Sequence, residues 1–432
     1  MAPLGTDARD ADHVGLAAPG RRSALALGRL AGMALSDSGR FALLMTKNVQ
    51  MTPVIALRAR KSFSTYLDLL RFTAALLVVL EHAVLLGVLP QIGALTRLSH
   101  ESVMVFFVLS GLVIGVSSLS AGMTAGEYVA SRAARIYCVA LPALVCCYGF
   151  VSIVGGGATH GLPVGQFLSS FFFLDGAWFN YAEVPLNGPY WSLCYEVWYY
   201  AFWGALCFVR RPSIRLLAGG LVLAAMGPAF AALIGTWLMG AVIASHGDRM
   251  LSALRRSPRW VGPGLFAGSV ACVVLIASSH LQEDVRQVLI ARIHGWWRMR
   301  GSEYVVTDYV IGILVAIHLV SALSVFGDGR RLYDSRAGRT IRYCASFTFT
   351  LYLFHYPILL ALKAVGGSQS PSLIGGLGVV AVTLAGVWVV SFGTERQLPR
   401  WKRMARMVVT RASRVDLMSG SSPIATSQAR AR

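Results

Sequence analysis

The sequence predicts an all-α fold, a polytopic transmembrane helical bundle of about ten spans. Three observations carry this reading. Of 432 residues, 55% are hydrophobic and 14% are charged, against about 25% charged in a soluble domain. The mean hydropathy is +0.60. Apolar stretches of roughly 17–25 residues, the length of a membrane-crossing helix, recur from about residue 66 to residue 393.

The predicted spans are 66–89, 102–119, 136–155, 190–209, 214–231, 233–246, 260–278, 305–325, 343–364 and 374–393. Phe167–Leu174 is too short to cross. Between Pro163 and Trp178 it reads as an interfacial or re-entrant piece. Charge supports the count. With a cytoplasmic N-terminus, the inside loops carry 14 arginines and the outside loops 5, while the tail from Arg396 to Arg432 adds 9 Lys or Arg inside. This is the positive-inside pattern, and it places both termini in the cytoplasm. The loop 279–304 departs from it, with Arg286, Arg292, Arg298 and Arg300 outside. It is either a plain solvated loop or a basic surface for an acidic glycan.

The formal net charge of +19 follows from the same pattern. No soluble basic surface with base-reading or stacking groups is visible, so nucleic acid is not an expected partner. Seven cysteines lie in or beside apolar segments, without C-x-x-C pairs or His/Cys metal spacing. They read as buried small hydrophobes, and no metal is expected. Residues 1–61 are expected to form a poorly ordered cytoplasmic tail without a cleavable signal. No repeat or second folded domain is evident.

Ionisable groups in hydrocarbon are costly and mark function or pairing. The first span holds Asp68, Arg71, Glu81 and His82. Asp68 and Arg71, three apart, can pair. Arg71 and His82 are eleven apart, which returns to the same helix face within about 20° and separates them by about 16 Å along the axis. A snorkelling arginine with a histidine satisfied by a neighbouring helix is one reading. The other is a donor site joined to a chemical site. Arginine's fork binds two phosphate oxygens, and histidine suits proton abstraction from a hydroxyl. Ser192 and Glu196, i and i+4, share a face at the start of the fourth span. Ser110-Gly111 permits close helix approach. Pro357 is expected to kink its helix and free backbone groups. His318 and Asp308, in the eighth span, read as structural.

These residues resemble acyltransferase family 3. Arg71, ten residues, then His82 is similar to its arginine-x10-histidine signature. In the same order follow Val105-Phe106-Phe107-Val108-Leu109-Ser110-Gly111, the pair Arg132 and Arg135, Trp191-Ser192-Leu193 with Glu196 and Tyr199, then Tyr352, His355 and Pro357, and finally Glu395-Arg396. The set covers about residues 62–403, with 404–432 left as a basic cytoplasmic tail. Departures are Met104 or Val105 where a polar residue is common, Cys194 and Tyr195 before Glu196, and Gln397 where proline is common.

The resemblance implies an inner-membrane O-acyltransferase using acetyl-CoA or another acyl-CoA as co-substrate, with no permanently bound cofactor and a glycan or glycolipid acceptor. Arg71, Arg132 and Arg135 would bind the coenzyme A phosphates; for the last two, ordinary positive-inside charge is the competing reading. His82 would be the base or a transient acyl carrier. Glu196 would orient His82 or bond the acceptor, and Trp191 would stack on it. Ser192 and Tyr352 would bind substrate, and His355 would act in catalysis. A transporter of a small anionic or glycan substrate is the rival class, but inverted repeats and broken helices in both halves are not seen. A non-catalytic membrane scaffold would not need Arg71, His82 and Glu196 in hydrocarbon.

Overall fold

A computed structural model describes residues 60–119, 122–154, 164–327, 329–366 and 372–419. Its elements are helices, with no strand among the described residues. They are α1 (Lys61–Leu85), α2 (Ser99–Ser118), α3 (Ala125–Val154), α4 (Val164–Phe171), α5 (Trp191–Phe208), α6 (Pro212–Met226), α7 (Pro228–Arg256), α8 (Val261–Ser278), α9 (Leu281–Arg292), α10 (Val305–Phe326), α11 (Arg331–Asp334), α12 (Arg336–Ala345), α13 (Thr348–Gly366), α14 (Leu373–Ser391) and α15 (Leu398–Ser419).

The ten predicted apolar stretches fall largely on helices, but 214–231 is broken at Gly227, where α6 ends and α7 begins, and 233–246 is the middle of α7 and not a separate span. Eight helices are long and apolar enough to cross a membrane. Trp191–Phe208 has 18 residues but is rich in Trp and Tyr, and Pro212–Met226 has 15. The short segment predicted near the interface is α4, of eight residues. The loop 279–304 contains α9 and a 3-10 turn at Trp296–Arg298.

The boundaries follow local chemistry. Pro212 and Pro228 sit in the first turns of α6 and α7, where a missing N–H costs nothing. Ser335 caps α12 by accepting the Gly338 N–H at 2.9 Å, and Ser372 caps α14 by accepting that of Gly375 at 3.1 Å. Glu81 accepts the N–H of Ser99 at 2.6 Å, at the start of α2. The predicted span 343–364 begins later, at Thr348, because α12 is a separate helix that ends at Ala345.

The bundle is centred on α2 and α7, the most extensively packed pair. Their backbones touch. A Cβ on Gly111 would lie 1.9 Å from the Trp237 carbonyl oxygen, and one on Gly240 would lie 1.9 Å from that of Val108. Only glycine permits this approach, as expected of Gly111. Around this pair stand α1, α5 and α10, with α13 against α1 and α14. The C-terminal α15 packs along α3. Residues 404–419 of the predicted tail therefore belong to a helix. Residues 1–59 and 420–432 of the predicted tails lie outside the described residues.

Candidate active site

Two groupings emerge from the predicted residues. In the first, His82 on α1 meets His355 on α13, with Nδ1 and Nε2 2.9 Å apart and the rings stacked at 5.1 Å between centroids. Nδ1 of His355 lies 2.9 Å from the carbonyl oxygen of Leu351. A carbonyl only accepts, so His355 carries its proton on Nδ1 and offers the Nε2 lone pair. His82 then donates from Nδ1 and keeps the Nε2 lone pair free. His355 is fully buried, while His82 is partly exposed. The Tyr356 ring stands edge-on to His82 at 5.2 Å.

Pro357 explains how the neighbouring loop is attached. It has no N–H, so the carbonyl of Leu353, four residues earlier, loses its helical donor. The Nδ2 of Asn187 donates to that oxygen at 3.0 Å. This bond ties the loop 172–190 to α13 two residues before His355. Four non-glycine residues in the loop have positive φ: Phe173, Trp178, Phe179 and Leu186.

The second grouping surrounds a cavity of about 250 Å³, whose wall includes Arg71, Arg132, Arg135, Ser192, Glu196 and Tyr352. Lys402 of α15 joins it. Four cations thus face one cavity beside a single carboxylate among its described wall residues, Glu196. Arg71 also lies 3.7 Å from Asp68, as their spacing predicts. Glu395 sits behind the wall. Its Oε2 accepts the N–H groups of Phe349 and Thr350 at 3.0 and 3.1 Å, capping α13 from a distant part of the chain. Its Oε1 is 4.0 Å from Arg135.

Glu196 makes no hydrogen bond to His82 among the described residues. It accepts a short hydrogen bond from Tyr200, whose hydroxyl also lies 3.1 Å from Ser110. His82 takes its partner from α13 instead. Ser192 and Tyr352 do meet, hydroxyl to hydroxyl at 2.5 Å. They close the cavity on the side of His355, whose ring centroid is 6.2 Å from that of Tyr352. Trp191 lies elsewhere. With Tyr181, Glu183, Asn187, Tyr195 and Arg300 it borders a separate pocket of about 40 Å³, where Arg300 and Glu183 form an ion pair. Asp308 is bonded to His100 at 2.6 Å. His318 is bonded to Tyr66 and lies 3.1 Å from Ser269.

Residues 64–392 match a family model described as an acyltransferase domain, Acyl_transf_3. The chain belongs to acyltransferase family 3. Nothing matched among curated proteins or among solved structures. As a membrane acyltransferase of this family, the chain carries its matched motifs on α1, α2, α3, α5 and α13. Lys402 lies beyond the matched span and was missed by motif reading. A basic residue on an amphipathic helix after the last apolar segment was the available signal.

Proposed function

We propose that this acyltransferase moves an acetyl group from acetyl-CoA, taken from the cytoplasmic side of the inner membrane, to a hydroxyl of a cell-envelope or exported glycan. Both termini then lie in the cytoplasm. The observation that carries the reading is the hydrogen-bond chain from Leu351 through His355 to His82, because it leaves His82 Nε2 as a base held in one tautomer.

In this reading the acceptor hydroxyl gives its proton to His82 Nε2 as its oxygen bonds to the thioester carbonyl carbon. The C–S bond breaks, and the sulfur takes the proton back from the imidazolium, leaving free coenzyme A and the ester. The His82 Nδ1–H stays bonded to His355 throughout, so the ring need not reorient. Arg71, Arg132 and Arg135, with Lys402, supply charge-assisted donors to the donor phosphates. The rise of about 16 Å from Arg71 to His82 suits an extended pantetheine arm. Ser192 and Tyr352 contact the arm or the acetyl group, and Glu196 holds Tyr200 in the wall. Trp191, with Arg300, offers a stacking and anion-pairing surface to an acceptor sugar.

The test is release of free coenzyme A by membranes containing the protein, with and without an added glycan acceptor. Acceptor-dependent release that vanishes in His82→Ala supports the reading. Release that is equal in the variant removes His82 from it. Mass analysis of trapped enzyme separates a base from a carrier, since a carrier would hold an acetyl group on His82.

A further inference from the structure

Helix α15 begins where an apolar span ends. Only residues 392–397 separate it from α14, which is long and apolar enough to cross a membrane and turns Ile374, Val382 and Val389 outward. The connecting turn is held by Glu395, which is buried and caps α13. The end of α14 carries an exposed aromatic collar. Trp388 donates from Nε1 to the Tyr343 hydroxyl at 2.7 Å. The Arg396 guanidinium lies 4.2 Å from the centre of the Phe392 ring and 5.1 Å from that of Tyr343. Trp, Tyr and Arg at the end of an apolar span mark the headgroup level of a bilayer. Helix α15 therefore starts at that level.

Three sides of α15 meet three environments. Ala405 and Val409, one turn apart, are partly buried, and Val409 packs on α3, where its side chain would stand 2.8 Å from a Cβ on Gly126. Lys402 borders the arginine-lined cavity. Met404, Met407 and Val408 fall within an arc of about 100° and are 57%, 53% and 68% exposed. Arg400 lies on that arc one turn before Met404, and Arg403 borders it. Both are exposed, and neither has a carboxylate partner among the described residues. Between residues 398 and 409 stand Arg400, Lys402, Arg403 and Arg406, and no Asp or Glu. An apolar flank edged by cations is the pattern of a helix lying in the plane of a membrane interface.

We propose that α15 docks on anionic phospholipid, with Met404, Met407 and Val408 in the outer acyl layer and Arg400 and Arg403 on the headgroup phosphates. Continuity with the outward apolar surface of α14 makes lipid the occupant of the flank, and the unopposed guanidinium groups select its charge. A choline headgroup would set an ammonium beside them, whereas an anionic lipid leaves its phosphate uncompensated for them. Lys402 is on the same helix, so the lipid seat also fixes one wall of the arginine-lined cavity. Lipid contact here does not depend on the acyl transfer, and no activity is read in its test.

The full-length protein is placed in nanodiscs of phosphatidylcholine alone and of phosphatidylcholine with phosphatidylglycerol, and amide hydrogen exchange is followed by mass spectrometry. Each cation near an anionic surface favours contact by about fivefold, so peptides covering 398–409 should exchange at least about fivefold more slowly in the mixed bilayer. Arg400→Gln with Arg403→Gln should remove that difference and leave the rate of the phosphatidylcholine disc. Met404→Gln with Val408→Gln should speed exchange in both bilayers, since glutamine keeps helix propensity and the exposed side chains do not carry the packing on α3. Exchange in α2 and α7 should be unchanged throughout. Equal exchange of 398–409 in the two bilayers, as a second copy or another segment of the chain on this flank would give, overturns the proposal. So does a difference that survives the loss of both arginines. If a variant fails to fold, the unaltered protein still decides: phosphatidylglycerol with a diazirine in its acyl chain should label 398–409 more than the matching phosphatidylcholine, and equal labelling overturns the proposal.

Discussion

Nδ1 of His82 faces Nε2 of His355, 2.9 Å away and 273 residues distant in sequence. His355 is thereby a positioning residue in the proposed mechanism, and His82 the group that touches the acceptor.

Loss of His82 should remove the base. His82→Ala is expected to lower acetyl transfer by about 10²–10⁴-fold while the protein still inserts. His355→Ala should cost less, and His355→Gln should recover part of the loss, because an amide oxygen can accept the His82 proton. Rates in membranes for the three variants check this ordering. A His355→Gln no better than His355→Ala would reduce His355 to packing.

The donor site gives a separate test. Arg71→Lys keeps charge and loses the two-oxygen fork, so the apparent KM for acetyl-CoA should rise several-fold with little change in that for the acceptor. Lys402→Ala should raise it by less, since Lys402 is exposed and screened by salt. An unchanged KM in Arg71→Lys with normal turnover would leave Arg71 as the partner of Asp68 alone.

Glu395 is expected to matter for stability. Glu395→Ala leaves two N–H groups of α13 without their acceptor and removes the carboxylate beside Arg135. The expected cost is roughly 0.5–2 kcal/mol, the range for a lost helix cap. Glu395→Gln should lose less. Thermal unfolding in detergent measures both.

Burial raises the Asp175 carboxyl from 3.8 to about 6, against the opposing bonds from Ser170 and Ser169. The folded state therefore holds a proton between about pH 4 and 6 that the unfolded chain has released. Stability from this group falls as pH rises through that window. Asp175→Asn should flatten the melting temperature against pH there, and an unaltered slope would assign the pH dependence to other groups.

Orientation is tested by fusions. A cytoplasm-only reporter after Arg336 and a periplasm-only reporter within residues 367–370 should both be active. The reverse pattern would turn the arginine-lined cavity outward.

The eight long apolar helices were legible because membrane-crossing runs leave a strong signal in composition. Arg71 and His82 were legible as a pair because both sit on one helix, where spacing alone sets the face. Contacts between distant segments were not. Nothing local to His82 distinguishes His355 from Glu196 as its partner, and the later start of α13 depends on a cap from Glu395, over forty residues away. Lys402 escaped because its helix carries no apolar run. Pro357 was half legible: the freed carbonyl followed from chemistry, but its donor, Asn187, came from a loop without periodicity.

The glycines at the seam of α2 and α7 constrain how this protein can move. Peptide planes that touch at Gly111 and Gly240 leave no groove along which either helix can slip. The close contact at Gly111 and Gly240 holds Phe106, Phe107 and Ser110 of α2 against α7, so a rocking motion of the kind used in alternating access is not expected to part these two helices. Opening of the arginine-lined cavity is left to smaller parts: the side chains at its closed end and the α15 helix at its edge. The membrane acyltransferase would then work as a fixed frame with movable doors, and its substrates would meet inside a wall that does not itself turn.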